Sequence, residues 1–385
     1  MTTEQHIILE GLTGVGRVEL ALRPDQRVYA LIGSNGVGKT KCLEALFLWL
    51  FFTNQLVNKV CLSSSSDDVV NSKNLIGKIL VDGALVYESM PATFRRGALF
   101  VSDAVPKDVK MHQKPVVFLG AKSRATIESI SDTVLPNLGL FEARRKQYWD
   151  EVIVAIIKSE MASIGMGTNT AQWFVLRAQS ANRYQRGGDN RAVEIDTLLK
   201  LLNQVDERID PAFLEIDGAN QVAIKVSGVL TQLQHLSSGF TALLKMLQAI
   251  VAGFANFTNE VNLTHVSGTV LIDEIESHLH TEWQSKIIPL LKKLFPNTTF
   301  FVATHSPIVL SQLQEGEAYR LDRQADGVVR SMMIKAPNKR ILDDVLDDAM
   351  GVNLNALKRV RLEQDDQTEL KQKLQNLLDR ARSKT

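Results

Sequence analysis

The chain has 385 residues, 45% of them hydrophobic and 23% charged, the proportions of an ordinary globular protein. A net charge of +1 leaves no whole-molecule field to gather nucleic acid or an anionic membrane, so any such role must rest on local patches. Two cysteines, Cys42 and Cys61, exclude a disulfide framework and a cysteine-built zinc site, and fit a reducing, cytoplasmic compartment.

Met1 to His6 is polar and lacks the apolar core of a signal peptide. Ile7–Leu9, Val18–Leu22 and Val28–Ile32 read as strands, with Arg23-Pro24-Asp25-Gln26 as a turn. Gly11-Leu12-Thr13-Gly14-Val15-Gly16 is glycine-rich but lacks Lys-Thr, so it reads as a turn between strands. The third strand runs into Gly33-Ser34-Asn35-Gly36-Val37-Gly38-Lys39-Thr40, and apolar residues then recur at helical spacing from Cys42. Ala45–Phe52 is too short to span a bilayer and reads as a buried helix. Residues 61–75 form a polar break. Lys78–Val81 and Ala84–Tyr87 flank Asp82-Gly83, a hairpin signal. Val116–Leu119 is a buried strand. Tyr148–Met161, Thr170–Ala181 and Val193–Leu202 carry helical spacing, and Phe213–Ile216 with Val222–Val226 makes a second hairpin. A helix opens after Ser238-Gly239. The strand Thr269–Ile272, a helix from Glu282 and the strand Thr298–Ala303 follow. Asp344–Thr385 is charged and helical, with Leu370, Leu374, Leu377 and Leu378 as a stripe.

Four motifs carry chemistry. Gly33–Thr40 matches G-x-x-x-x-G-K-[ST], a loop whose backbone N–H groups cradle nucleotide phosphates where side chains would collide. The following helix adds the positive end of its dipole, Lys39 bridges the phosphates and the Thr40 hydroxyl ligates Mg²⁺. An apolar strand ending in Asp273-Glu274 supplies a second Mg²⁺ ligand, Asp273, and a group to polarise the attacking water, Glu274. Leu236-Ser237-Ser238-Gly239-Phe240 opens a helix with a hydroxyl and bare N–H groups, either an anion site or an ordinary cap. His305, in Thr304-His305-Ser306-Pro307 at a strand end, is placed to contact a γ-phosphate and sense its loss.

In that order, with Asp273 about 35 residues beyond Ser237 and His305 about 30 further, the motifs resemble the ABC ATPase superfamily, in its branch of SMC proteins, RecF and the OLD-type ATPases. The run Asp273-Glu274-Ile275-Glu276-Ser277-His278-Leu279-His280 is similar to that of OLD-like heads, as is Ala303-Thr304-His305-Ser306-Pro307. Thr281 stands where those heads usually carry proline, and Phe240 where signature sequences often have Gln or Glu.

The resemblance implies an α/β P-loop head with an inserted helical lobe. Residues 1–130 would form the lobe with the phosphate loop and 131–210 the insert. Residues 211–335 would complete the ATPase core, and 336–385 would form a C-terminal helical segment. It implies ATP and Mg²⁺ as ligands and a homodimer or higher homo-oligomer in which Ser237 and Gly239 of one copy cap nucleotide held by Gly33–Thr40 of the other. His278 would lie at that seam. Arg124 sits where related heads often carry an arginine near the nucleotide, against the alternative of a solvated side chain. Gln113 is a poor candidate for the metal-shell glutamine and receives no role.

Three functions remain open. A stand-alone ATPase of an anti-phage defence system, of the OLD or Septu type, would control a separate nuclease. In support, no Glu followed by Asp-x-Asp follows His305 as a TOPRIM nuclease requires, and Asp343-Asp344 and Asp347-Asp348 read as surface charge. A RecF-like DNA-repair clamp would need a basic face, for which Arg144, Arg145, Lys146, Arg183, Arg186 and Arg191 are candidates. A transporter subunit is disfavoured by the His-Leu-His wording.

Overall fold

Alternate residues of the buried strands belong to two separate cores. Val28, Ala30 and Ile32 join one with Val117, Leu119, Val270 and Ile272, while Tyr29 and Leu31 join the other with Val116, Phe118 and Leu271. This is a sheet covered on both faces, which explains why its strands read as continuous apolar runs.

The computed structural model describes residues 4–58, 61–63, 77–88, 98–100, 105–128, 130, 135, 137–339 and 372–373. In chain order, β1 (Gln5–Leu12), β2 (Gly16–Leu22) and β3 (Val28–Ile32) lead into α1 (Lys39–Phe52) and α2 (Gln55–Asn58). Next come β4 (Cys61–Ser63), β5 (Lys78–Val81), β6 (Ala84–Glu88), β7 (Ala98–Phe100) and β8 (Val116–Leu119). The helices α3 (Phe141–Ile157), α4 (Thr170–Ser180) and α5 (Ala192–Val205) precede β9 (Ile209–Ile216), β10 (Val222–Val226) and β11 (Val229–Gln232). Then follow α6 (Ser238–Phe257), β12 (Thr269–Ile272), α7 (Thr281–Gln284), α8 (Ile287–Leu294), β13 (Thr299–Ala303) and α9 (Pro307–Leu310). β14 (Ala318–Arg323) and β15 (Val329–Met333) come last.

Among the described residues the main sheet has ten strands in the order β6-β5-β1-β2-β15-β14-β3-β13-β12-β8. From β14 to β8 neighbouring strands run parallel, and the opposite end, from β6 to β2, is antiparallel. The β5–β6 hairpin turns through Asp82 and Gly83, both at positive φ (49° and 83°), the backbone demanded by a two-residue turn that follows the strand twist. It pairs with β1 at the sheet edge. β9, β10 and β11 form a separate antiparallel sheet.

α1 packs on one face of the main sheet and α6 on the other. α6 is long and apolar enough to cross a membrane by length and composition, but 89% of its apolar window is buried inside the fold, as in a core helix. Its N-terminus is capped by Ser237, whose Oγ accepts from the Phe240 N–H at 3.4 Å.

Five strands were not anticipated: β4, inside the expected 61–75 break, β7, β11, β14 and β15. β14 and β15 carry the charged residues Arg320, Asp322 and Arg330, which masks their period; inside the sheet Arg320 pairs with Asp322 and Arg330 with Glu19. Tyr319 and Leu321 are fully buried between them. The single helix expected from Glu282 is instead α7 and α8, parted at Ser285-Lys286, where the Ser285 hydroxyl bonds back to the Glu282 carbonyl. The leucine stripe and paired acids expected in the C-terminal segment lie outside the described residues, as does most of the 61–75 break.

Candidate functional site

The phosphate loop leaves the C-terminal end of β3, between β14 and β13 in the parallel part of the sheet, and folds against two neighbours. A Cβ at Gly33 would stand 2.7 Å from the Leu321 carbonyl oxygen of β14, and one at Gly38 2.8 Å from Cγ1 of Val15. Val15 is the tip of the β1–β2 hairpin, so the glycine-rich turn that lacks Lys-Thr braces the loop that has it. Gly38 also takes φ 109° as the residue opening α1. Lys39 is buried, and its Nζ donates to the Gly33 and Ser34 carbonyls at 2.8 and 2.9 Å. Burial pushes the Lys39 ammonium down, and the charges of Asp273, Glu276 and Glu274 pull it back.

Those acids arrive on β12. The strand pairs with β8 on one side and β13 on the other, and the Asp273 N–H donates to the Leu119 carbonyl at 3.0 Å. The Thr40 hydroxyl donates to the Asp273 carboxylate, 2.9 Å from Oδ1 and 3.1 Å from Oδ2. Residues 233 positions apart thus meet where the sequence placed a shared metal. Burial raises the Asp273 carboxyl, against the lowering effect of the Thr40 hydroxyl. Glu274 is exposed beside it and sits at φ 45°, a left-handed conformation that a glutamate adopts only where neighbours hold it.

Glu276 is a residue whose part the sequence reading missed. Its carboxylate accepts from the Thr304 hydroxyl at 2.7 Å and from the His305 N–H at 2.6 Å, clamping the end of β13 to the acid loop. The sequence offered a signal only in its third acid, which follows the Asp273-Glu274 pair by two residues in the turn after β12. His305 is exposed at the strand end. Burial and the Lys39 charge push its imidazole down, against the opposing Glu276 and Glu274 charges.

Ser237 and Ser238 lie exposed at the start of α6. A Cβ on Gly239 would come within 2.9 Å of the His280 ring and 3.5 Å of the His278 carbonyl oxygen. The Leu-Ser-Ser-Gly turn and the His-Leu-His run therefore share one surface of the chain. Phe240, which replaces the usual polar residue, is buried.

Arg124 is not solvated. It is fully buried beside the acid pair, caged by carbonyl oxygens. Nη1 donates to Glu274 (2.6 Å), Nη2 to Asp273 (2.6 Å) and Leu119 (3.2 Å), and Nε to Gly120 (3.0 Å). Burial pushes its guanidinium down to about 10, partly offset by Asp273, Glu274 and Glu276. Its role is to pin the backbone that carries the two acids.

The basic candidates also divide. Lys146, Arg183 and Arg186 are exposed, but Arg144 and Arg191 are buried at 8% and 2% exposure, among Glu194, Asp189 and Arg177. Arg145 lies against the Asn256 and Phe257 carbonyls. Half of the candidate DNA face thus points inward, held by carbonyls and acids of the fold.

The donor set suits the ligands expected. Thr40 and Asp273 offer a hydroxyl and a carboxylate, hard oxygens of the kind Mg²⁺ takes once or twice from protein while keeping water and phosphate oxygens for the rest. Among the described residues no group of three His, Cys, Asp or Glu side chains could hold a metal without them. The glycine positions that exclude a Cβ leave backbone where a phosphate needs it.

Loop, acid pair and parallel strands together define a P-loop nucleoside-triphosphatase fold of the ABC-head type: a mixed α/β sheet with helices on both faces. Residues 170–311 match a protein-family model described as "AAA domain, putative AbiEii toxin, Type IV TA system". The chain is similar to the Septu protein PtuA of Bacillus thuringiensis, 29% identical over 143 residues, 34% of this chain and 35% of that protein. It is also similar to the Retron Ec83 probable ATPase of Escherichia coli, 36% identical over 110 residues, 26% of this chain and 20% of the relative. The matched stretches thus span about a third or less of those relatives. Among solved structures, an SMC head bound to the C-terminal winged-helix domain of ScpA aligns with a TM-score of 0.43 at 13% identity, covering 86% of this chain and 98% of that one.

Proposed function

We propose that this chain hydrolyses ATP at a site completed by a second copy, and that it acts in the cytoplasm as the sensing ATPase of a prokaryotic anti-phage defence system controlling a separate nuclease. The observation that carries the reading is the Thr40–Asp273 hydrogen bond, which joins the phosphate loop to the acid pair at the strand ends where Glu276 also fixes His305. The Septu likeness and the OLD-like wording of residues 273–280 and 303–307 support the defence role.

In this reading the backbone of Gly33, Ser34, Asn35, Gly36, Val37 and Gly38 cradles the phosphates. Lys39 exchanges its two loop carbonyls for phosphate oxygens, a partner that compensates its buried charge better. Mg²⁺, when held by Thr40 and Asp273, withdraws charge from the phosphate oxygens. Glu274, held in its left-handed backbone, orients and polarises the attacking water. His305 donates a hydrogen bond toward the γ-phosphate, and loses that partner when phosphate departs. The exposed Ser237 and the backbone of Gly239, which is buried against His278 and His280, cap the nucleotide of the facing copy at the start of α6.

The test is turnover per subunit against protein concentration, with sizing of Glu274→Gln in ATP. A composite site gives turnover that rises with concentration and a stable oligomer of the variant. Flat turnover and an ATP-independent size would remove the two-copy reading. Nuclease activity recovered with Glu274→Gln from cells expressing its flanking genes supports the defence role, and its absence there counts against it.

A further inference from the structure

Between the acid pair and α7 the chain runs through residues 275–280 without helix or strand. The near end of this segment is sewn to β13 by the Ile275 N–H, which donates to the Ala303 carbonyl at 3.1 Å, and by the Glu276 carboxylate. Two tight turns follow, Ser277 N–H to the Glu274 carbonyl at 2.8 Å and Leu279 N–H to the Glu276 carbonyl at 2.9 Å. His278 sits between them at φ 64°, a backbone that its surroundings must impose. A side chain of α7 ties the far end to the loop after β13. Gln284 donates from Nε2 to the Leu279 carbonyl at 2.8 Å and accepts at Oε1 from the Ser306 hydroxyl at 2.7 Å. Ser306 is the residue after His305.

Chemistry fixes the direction of both bonds. Ser306 Oγ already accepts from the Ile308 and Val309 N–H groups at 3.2 Å each, capping α9, so it meets Gln284 with its one hydrogen. The Leu279 carbonyl can only accept, so the amide nitrogen of Gln284 must face it. An amide serves both ends; a carboxylate serves the hydroxyl alone, and a thioether neither. Beyond Leu279, His280 lies against the start of α6, where Gly239 leaves no room for a Cβ. A contiguous path therefore runs from His305 through Ser306, Gln284, Leu279 and His280 to Gly239.

We propose that Gln284 is a positioning residue that transmits the state of His305 to the start of α6. The Cα atoms of His305 and Ser306 stay about 3.8 Å apart, so a histidine that shifts toward a γ-phosphate takes Ser306 with it. Gln284 passes that shift to the Leu279 carbonyl, and His280 passes it to Gly239. The nucleotide held by one copy thereby sets how that copy's own Ser237 and Gly239 stand toward its partner. The coupling rests on the reading of His305 as a contact of the γ-phosphate, and adds to it a link between the nucleotide a copy holds and the signature it lends.

The experiment is hydrogen exchange read by mass spectrometry on the full chain carrying Ser237→Arg, whose added side chain obstructs the facing copy, so that changes arise within one molecule. ATP and ADP are compared, each with Mg²⁺. In that parent, residues 276–282 and 304–306 exchange about tenfold more slowly with ATP than with ADP, the protection that one further hydrogen bond gives a loop. Gln284→Met keeps the difference at 304–306 and loses it at 276–282. Gln284→Glu, closer in shape and still able to accept from Ser306, loses it at 276–282 as well. A side chain that merely supports α7 would leave both differences intact while lowering the melting temperature. ATP affinity, by equilibrium titration, stays within about twofold of the parent in both variants. An undiminished difference at 276–282 in both variants, or none there in a parent that binds ATP, overturns the proposal and leaves the nucleotide site standing. A chain that fails to bind ATP removes the reading of the site and this coupling with it.

Discussion

Replacing Arg124 by methionine strips the donors from four carbonyl oxygens at once. The Leu119 and Glu274 oxygens keep the N–H groups of Asp273 and Ser277, while those of Gly120 and Asp273 lose the guanidinium as their donor. Each buried unpaired acceptor costs about 1–3 kcal/mol, and relief of a buried charge offsets part of the sum, leaving a net loss of about 2–4 kcal/mol. For a chain of this size that lowers the melting temperature by on the order of 10 °C. Arg124→Lys keeps the charge but not the planar fork, and falls between variant and wild type. The effect on catalysis is separate. Arg124 and the Ser277 N–H together hold the Glu274 carbonyl at φ 45°, and loss of the first lets the acid shift, so turnover per folded molecule drops up to about a hundredfold, as for displacement of a reacting group by an ångström. Thermal melts with ATPase assays normalised to folded protein measure both. An Arg124→Met chain melting within about 2 °C of wild type, with normal turnover, would refute the argument that this cage holds the acids.

Glu276→Ala removes acceptors from Thr304 and His305, each bond to a carboxylate contributing about 1.5–3 kcal/mol. Hydrolysis falls while ATP affinity, measured by equilibrium titration, changes little. Glu194 gives a pH signature. Burial alone would raise its carboxyl, but Arg177 and Arg191 outweigh that and hold it below its ordinary value of 4.5. A depressed carboxylate contributes stability fully above the unfolded value, and the contribution is lost as pH falls through the folded one. Glu194→Gln is therefore less stable at pH 7 by about 3–5 kcal/mol and lacks that acid-side loss in denaturant melts from pH 7 to 3.

The phosphate loop, the acid pair and the Asp82-Gly83 hairpin were legible because their spacing is dictated locally, by turn backbone and by strand-to-helix order. β14 and β15 were not, since Arg320, Asp322 and Arg330 interrupt the apolar pattern; Arg320 and Asp322 pair along β14, and Arg330 reaches Glu19 on β2. Arg124 and Arg144 defeated the reading for a related reason. An arginine in sequence looks solvated, and its burial is decided by carbonyls and acids brought from distant elements. Glu276 was visible as a residue but not as a clamp, because Thr304 and His305 lie 28 and 29 positions away.

The central claim is that each catalytic site draws on two copies. It is tested most directly by mixing Lys39→Ala, whose signature is intact, with Ser237→Arg, whose phosphate loop is intact, each being inactive alone. If subunits exchange freely, half of the dimers are mixed and each holds one whole site, so the mixture recovers roughly a quarter of wild-type ATPase activity. A mixture that stays inactive although the subunits exchange, or full activity of Ser237→Arg alone, would contradict it.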